Sequence, residues 1–223
     1  MGASLTDKKN GIAMAIIGFF LRMVVARKYP NRRIIGADLI PKNGPFLLIA
    51  NHSSRWDGFV VNELIQRPAN YMVSPNELKG IQGILLRACG AFPASTKFDL
   101  TQFVVKQTQK GQPIVIFPEG NVFRDVHLHP FKKGAARMVV ACEQQGIRMP
   151  IVSVAIHYEK DGFYIIVSPP VVLDNVELIS EETKGETINS ITKELEERVS
   201  KCKKYLRLSL VPEVEAVQER LFA

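Results

Sequence analysis

The chain has little sulfur chemistry to offer. Its three cysteines, Cys89, Cys142 and Cys202, lie far apart, form no CxxC pair and cannot build an even-numbered framework. That pattern excludes a disulfide scaffold and a thiol redox motif, and reads as free thiols in a reducing compartment. No internal repeat or low-complexity segment appears, which excludes a solenoid. Long apolar runs are also missing. Gly11 to Leu21 is uninterrupted apolar or glycine, Arg22 breaks the run, and Met23-Val24-Val25-Ala26 resumes it. A spanning helix needs about 20 apolar residues.

What is present suits one compact α/β body: 223 residues, 46% hydrophobic and 23% charged, enough for a real core and close to the globular norm. The net charge of +7 is uneven. Residues 1–33 hold seven basic residues, Lys8, Lys9, Arg22, Arg27, Lys28, Arg32 and Arg33, against one acid, Asp7. That segment therefore carries +6 and the rest of the chain about +1. A nucleic-acid domain carries its charge on the folded body, interleaved with stacking aromatics; here the charge flanks an apolar helix, and an anionic lipid surface through residues 8–33 is the expected partner. The expectation is an interfacial helix and basic linker over 1–33, followed by a body over 34–223. A cleaved signal peptide, a tilted single span and a myristoylation signal in Met1-Gly2-Ala3-Ser4-Leu5-Thr6 are the alternatives. The free-thiol pattern argues against export and places the protein at the cytoplasmic face of a membrane.

The body alternates strand and helix patterns. Strands are expected at Phe46–Ala50, Asn70–Val73, Ala91–Ala94, Gln112–Phe117, Ile151–Tyr158 and Phe163–Val167. The last two should form a hairpin about Asp161-Gly162. Helices are expected at Asp57–Gln66, Pro75–Cys89, Leu100–Lys110 and Phe131–Gln145. In the tail, Ile188, Ile191, Leu195, Val199, Cys202 and Leu206 form an apolar stripe of a helix docked on the body, and Val214, Val217 and Leu221 suggest a short last helix. The fold class is thus α/β, a central, mostly parallel mixed sheet flanked by helices, with ligands gathering at the carboxyl ends of the strands.

Two polar loops fall there. Asn51-His52-Ser53-Ser54-Arg55-Trp56-Asp57 follows the apolar run Phe46–Ala50, and Phe117-Pro118-Glu119-Gly120 follows Pro113–Phe117. A neutral His is suited to take a proton near neutral pH, and a carboxylate can fix its tautomer and stabilise the imidazolium. On one continuous helix His52 and Asp57 would lie about 140° apart. They meet only if His52 sits in the turn before a helix that Asp57 opens. Ser53 and Ser54 are alternative nucleophiles, but no second His is placed to activate them.

Asn51–Asp57 matches the His-x4-Asp motif of the glycerolipid acyltransferases, the class that includes 1-acylglycerol-3-phosphate acyltransferase. The other blocks of that family follow in order: Gly90-Ala91-Phe92-Pro93, Phe117–Gly120, Pro130–Ala136 and Pro150–Ile156. The resemblance covers most of residues 30–175. It implies transfer without a covalent intermediate. His52 deprotonates the acceptor hydroxyl, Asp57 orients His52, the Glu119-Gly120 loop shapes the acceptor site, and neither metal nor other cofactor is required. It also implies an acyl carrier protein or coenzyme A thioester as donor and lysophosphatidic acid as acceptor. Two positions depart from the pattern. Thr96 and Val122 stand where the family has arginines that help hold the acceptor phosphate. Lys97 and Arg124 are the candidates to do that work from shifted positions, Arg having the better fork for phosphate. A different lysolipid acceptor and a non-catalytic lipid-surface protein are the rival readings.

Other polar residues have plainer expectations. Asp125, His127 and His129 alternate as metal ligands on a strand would, but read as a solvated loop before Pro130. Trp56 and His157 read as packing residues, and Lys132-Lys133 as an exposed helix start.

Overall fold

The computed structural model describes residues 2–173 and 183–210. Seven strands form one sheet in the order β1-β7-β6-β2-β5-β3-β4. They are β1 (Asn31–Ile35), β2 (Leu47–Ala50), β3 (Asn70–Val73), β4 (Ala91–Pro93), β5 (Ile114–Ile116), β6 (Ile151–Tyr158) and β7 (Gly162–Val167). Neighbours are parallel except β6 and β7, which make the expected hairpin. The central strands β2 and β5 are buried at every residue, which is why they read as unbroken apolar runs instead of alternating ones.

Helices cover both faces, as expected. On one side Phe103 and Val104 of α4 (Leu100–Gln109), Ala135 and Val139 of α5 (Gly134–Glu143), and Ile191, Leu195 and Val199 of α6 (Lys184–Ser209) close over the sheet. On the other lie Val60, Val61 and Leu64 of α2 (Asp57–Leu64), with Val25 and Tyr29 at the end of α1 (Gly11–Lys28). The tail stripe is docked on the body: Ile191, Leu195, Val199, Cys202 and Leu206 are all buried. The expected last helix near Val214 lies outside the described residues.

Three segments differ from the sequence expectation. Residues expected as a basic linker, Arg27–Arg33, instead end α1 and open β1, an edge strand pairing Asn31 with Gly162. The expected helix Pro75–Cys89 is two pieces: a 3-10 turn at Pro75–Leu78 and α3 at Gly80–Ala88. Lys79 is extended and Gly80 takes φ +61, a left-handed value glycine tolerates without strain. The helix expected from Phe131 starts only at Gly134, and the residues before it are tied to other elements. Phe131 N–H donates to Glu196 Oε2 at 2.9 Å, and Lys132 N–H to the Pro118 carbonyl at 2.9 Å.

The strands β4, β3, β5, β2 and β6 all point the same way. The loops after β2, β5 and β6 therefore emerge at one edge of the sheet.

Candidate active site

The loop after β2 is pinned before it does any chemistry. Asn51 is buried, and its amide brackets Ile156 of β6: Oδ1 accepts from the Ile156 N–H at 2.8 Å, and Nδ2 donates to its carbonyl at 3.0 Å. The second loop is laced to the same turn. The His52 N–H donates to Glu119 Oε1 at 2.6 Å, and the His52 carbonyl accepts from the Phe123 N–H at 2.8 Å.

His52 and Asp57 meet. Nδ1 of His52 lies 2.8 Å from Asp57 Oδ2. Asp57 is the first residue of α2 and has no exposed surface; the positive end of the helix dipole favours its carboxylate there. Oδ2 also accepts from the N–H groups of Ser53 (2.8 Å) and Ser54 (2.9 Å), and Oδ1 accepts from the Tyr158 hydroxyl at 2.6 Å. The two backbone N–H groups can only donate, so Oδ2, the oxygen that faces His52, is an acceptor. Nδ1 must then carry the proton in the neutral imidazole, which leaves the Nε2 lone pair free. Nε2 makes no hydrogen bond to a described residue, and the His52 side chain is 22% exposed. Stacking on Phe117, with ring centroids 4.6 Å apart and planes at 21°, fixes the ring. Burial, reinforced by the nearby Asp57 charge, pushes the Tyr158 hydroxyl well above the usual phenol range, so it remains a donor.

The other expected site residues are placed differently. Glu119 is 3% exposed and turns inward: Oε1 holds the His52 N–H and Oε2 the His129 N–H at 2.9 Å. Its carboxylate braces the loop, with both oxygens committed to backbone. Gly120 takes φ +72, and the Lys132 side chain lies across it: an added Cβ would fall 2.5 Å from Nζ. Arg124 is exposed, one residue past the Phe123 N–H bound to His52. Lys97 is exposed beyond the end of β4, three strands from β2 and hence about 14 Å away by strand spacing. The structure thus brings together His52, Asp57, Glu119 and Gly120, sets Arg124 beside them, and leaves Lys97 at the far edge.

Asp125 and His129 pair with each other, Oδ2 to Nε2 at 2.8 Å, while the His129 ring stacks on Phe123. No group of three or more potential metal ligands occurs among the described residues. Trp56 packs against Tyr29 and Phe59. The thiols are poor nucleophiles: burial raises the half-buried Cys89 and the buried Cys142, and pushes the buried Cys202 up to about 12. Cavities of about 350 and 520 Å³ lie between residues 4–8 and the β4–α4 edge, and His52 and Asp57 line neither. His52 thus sits outside both cavities, at the solvent-reached edge of the sheet.

Sequence reasoning missed Asn51 as a clamp and Tyr158 as the fourth donor to Asp57. Neither had a signal in the sequence: both act because β6 lies beside β2, with Ala50 paired to Val154, so that the end of β6 overhangs the His52 loop.

The sequence profile of the Acyltransferase family matches residues 31–157. No curated protein matches the chain. Among solved structures, PlsC of Thermotoga maritima, a 1-acyl-sn-glycerophosphate acyltransferase, is similar with a TM-score of 0.61 at 17% identity, over 82% of this chain and 78% of that one. With its fold that of PlsC and its family profile running from β1 into β6 across both loops, this chain belongs to the acyltransferase family.

Proposed function

We propose that the protein transfers a fatty acyl group from an acyl carrier protein or coenzyme A thioester to the free sn-2 hydroxyl of 1-acyl-sn-glycerol-3-phosphate, giving phosphatidic acid. The observation that carries this reading is the His52–Asp57 contact, with Asp57 held by three further donors. As the acceptor oxygen bonds the thioester carbonyl carbon, Nε2 of His52 takes its proton. When the tetrahedral adduct collapses, the C–S bond breaks and the imidazolium returns that proton to the departing sulfur. Asp57 stabilises the imidazolium between the two steps, and no acyl-enzyme forms. General base catalysis of this kind supplies about 10²–10⁴ of the rate. Glu119 acts here as a positioning residue, through the His52 N–H.

Arg124 is the better candidate for the acceptor phosphate: it is exposed, adjacent to the His52 loop, and has no polar partner among the described residues. Lys97 contributes only if the acceptor spans the sheet edge. Thr96 and Val122 favour a second reading, in which another lysophospholipid is the acceptor.

The acceptor reaches the site from a membrane. No helix among the described residues is long and apolar enough to cross one. In this reading α1 lies in the interface at the cytoplasmic face, its basic residues Arg22, Arg27 and Lys28 at head-group level. Its end is joined to the catalytic loop: Tyr29 contacts the rings of Trp56 and Tyr158, and Lys28 Nζ sits 5.0 Å from the Trp56 ring centroid.

The test is an acceptor panel with labelled acyl donor. The expected result is transfer to lysophosphatidic acid, with Arg124→Ala raising KM for the acceptor more than for the donor. Equal use of a phosphate-free monoacylglycerol rejects the phosphate assignment. No transfer by the wild type to any acceptor favours a lipid-surface protein without catalysis.

A further inference from the structure

The large apolar side chains left in water are concentrated on two helices. Nine of the eleven exposed large hydrophobic residues lie on α1 or α3; only Val126 and Leu208 lie elsewhere among the described residues. On α1 they are Ile12, Ile16, Phe19, Phe20, Met23 and Val24, a single stripe at helical spacing. On α3 they are Ile81, Ile84 and Leu85, at positions i, i+3 and i+4, with exposures of 78%, 66% and 49%. Soluble surfaces scatter such residues singly, and gathering them marks an interaction site.

The two helices touch. The N–H of Asn10, the residue capping α1, donates to the carbonyl of Ala88, the last residue of α3, at 3.1 Å. Their charges agree in sign. Neither helix carries an acidic residue, while α1 carries Arg22, Arg27 and Lys28, and Lys79 precedes α3. The nearest acids on the flanking segments are already paired: Asp7 with Lys9 at 2.9 Å, and Glu77 with Arg55 at 2.7 Å. An apolar face with a purely basic margin fits an anionic bilayer surface better than another protein.

We infer that α3 is a second membrane-inserting element, which enters an anionic lipid surface beside α1 through Ile81, Ile84 and Leu85. The inference rests on the proposed membrane role of α1 and extends it to a part of the body that follows β3. Two contacts in place of one fix the tilt of the protein on the bilayer, which a single interfacial helix leaves free to roll about its own axis.

The test is binding to vesicles of phosphatidylglycerol and phosphatidylcholine, followed by co-sedimentation. It compares wild type, an α3 triple variant (Ile81→Gln, Ile84→Gln, Leu85→Gln) and an α1 triple variant (Ile16→Gln, Phe19→Gln, Phe20→Gln). Far-ultraviolet circular dichroism reports folding, and the single Ile81→Gln variant stands in if the triple does not fold. Removing three inserted aliphatic side chains should lower the partition coefficient roughly 100-fold in the α3 variant. Wild-type binding by the α3 variant, with binding lost in the α1 variant, overturns the role of α3 and leaves that of α1. Wild-type binding by both, or no binding by the wild type, overturns both. A lipid-free wild-type dimer that becomes monomeric in the α3 variant, with vesicle binding unchanged, assigns the face to a second copy and also overturns the inference.

Discussion

Tyr158→Phe removes one oxygen from the fourth donor to Asp57 and little else. The ring stays among Tyr29 and Phe163, at centroid distances of 5.4 and 6.3 Å. What is lost is the 2.6 Å hydrogen bond to Oδ1, the one partner that oxygen has among the described residues. Asp57 has no exposed surface, so water does not replace the phenol. A hydrogen bond to a charged group is worth about 1.5–3 kcal/mol. In a chain of this size 1 kcal/mol moves Tm by about 2–4 °C, so the variant should melt roughly 3–12 °C lower. The freed Oδ1 also lets the carboxylate turn about its Cβ–Cγ bond, loosening the grip of Oδ2 on His52. If 1–2 kcal/mol of that orientation is lost from the transition state, kcat falls about 5–30-fold with KM for the acceptor little changed. The assay is thermal unfolding beside initial-rate kinetics on the same preparation. Wild-type Tm and kcat together would refute the reasoning, since an oxygen that can be orphaned without effect was not holding the carboxylate.

Glu119→Gln places an amide where both oxygens now receive backbone N–H groups, leaving one buried donor facing another; kcat should fall tenfold or more, at about 1.4 kcal/mol per decade. Initial rates against acceptor concentration check this, and a variant affected only in acceptor KM would return Glu119 to the substrate-binding role. In alkali, burial raises the phenols of Tyr29, Tyr71 and Tyr158, so folding favours their neutral forms. Their contribution to stability is complete below the unfolded phenol pKa of about 10 and is lost as pH rises above it. An absorbance titration should therefore show them ionising together with unfolding. Independent ionisation near pH ~10, with circular dichroism unchanged, would contradict that.

Features written in local pattern were legible. The apolar runs of β2 and β5, the Asp161-Gly162 turn of the β6–β7 hairpin, the apolar stripe of α6 and the six-residue span from His52 to Asp57 each carry their signal within a short window. Features that depend on what folding brings alongside were not. Arg27–Arg33 looks like a basic linker until β7, far along the chain, supplies a pairing edge for Asn31 onward. Asn51 and Tyr158 acquire roles only because β6 lies next to β2, and their partners are 105 and 101 residues away in sequence. Glu119 stood in a recognisable block, but nothing in the block says whether its carboxylate faces substrate or the His52 backbone. The break at Lys79-Gly80 was legible in principle, since glycine there invites a left-handed residue; the apolar spacing of Leu78, Ile81 and Leu85 masked it.

The most direct measurement is acyl transfer by His52→Ala beside the wild type, with labelled thioester donor and lysophosphatidic acid, and with circular dichroism confirming an unchanged fold. An imidazole acting as general base predicts a fall of about 10²–10⁴ in kcat. Transfer at the wild-type rate would contradict the account at its centre.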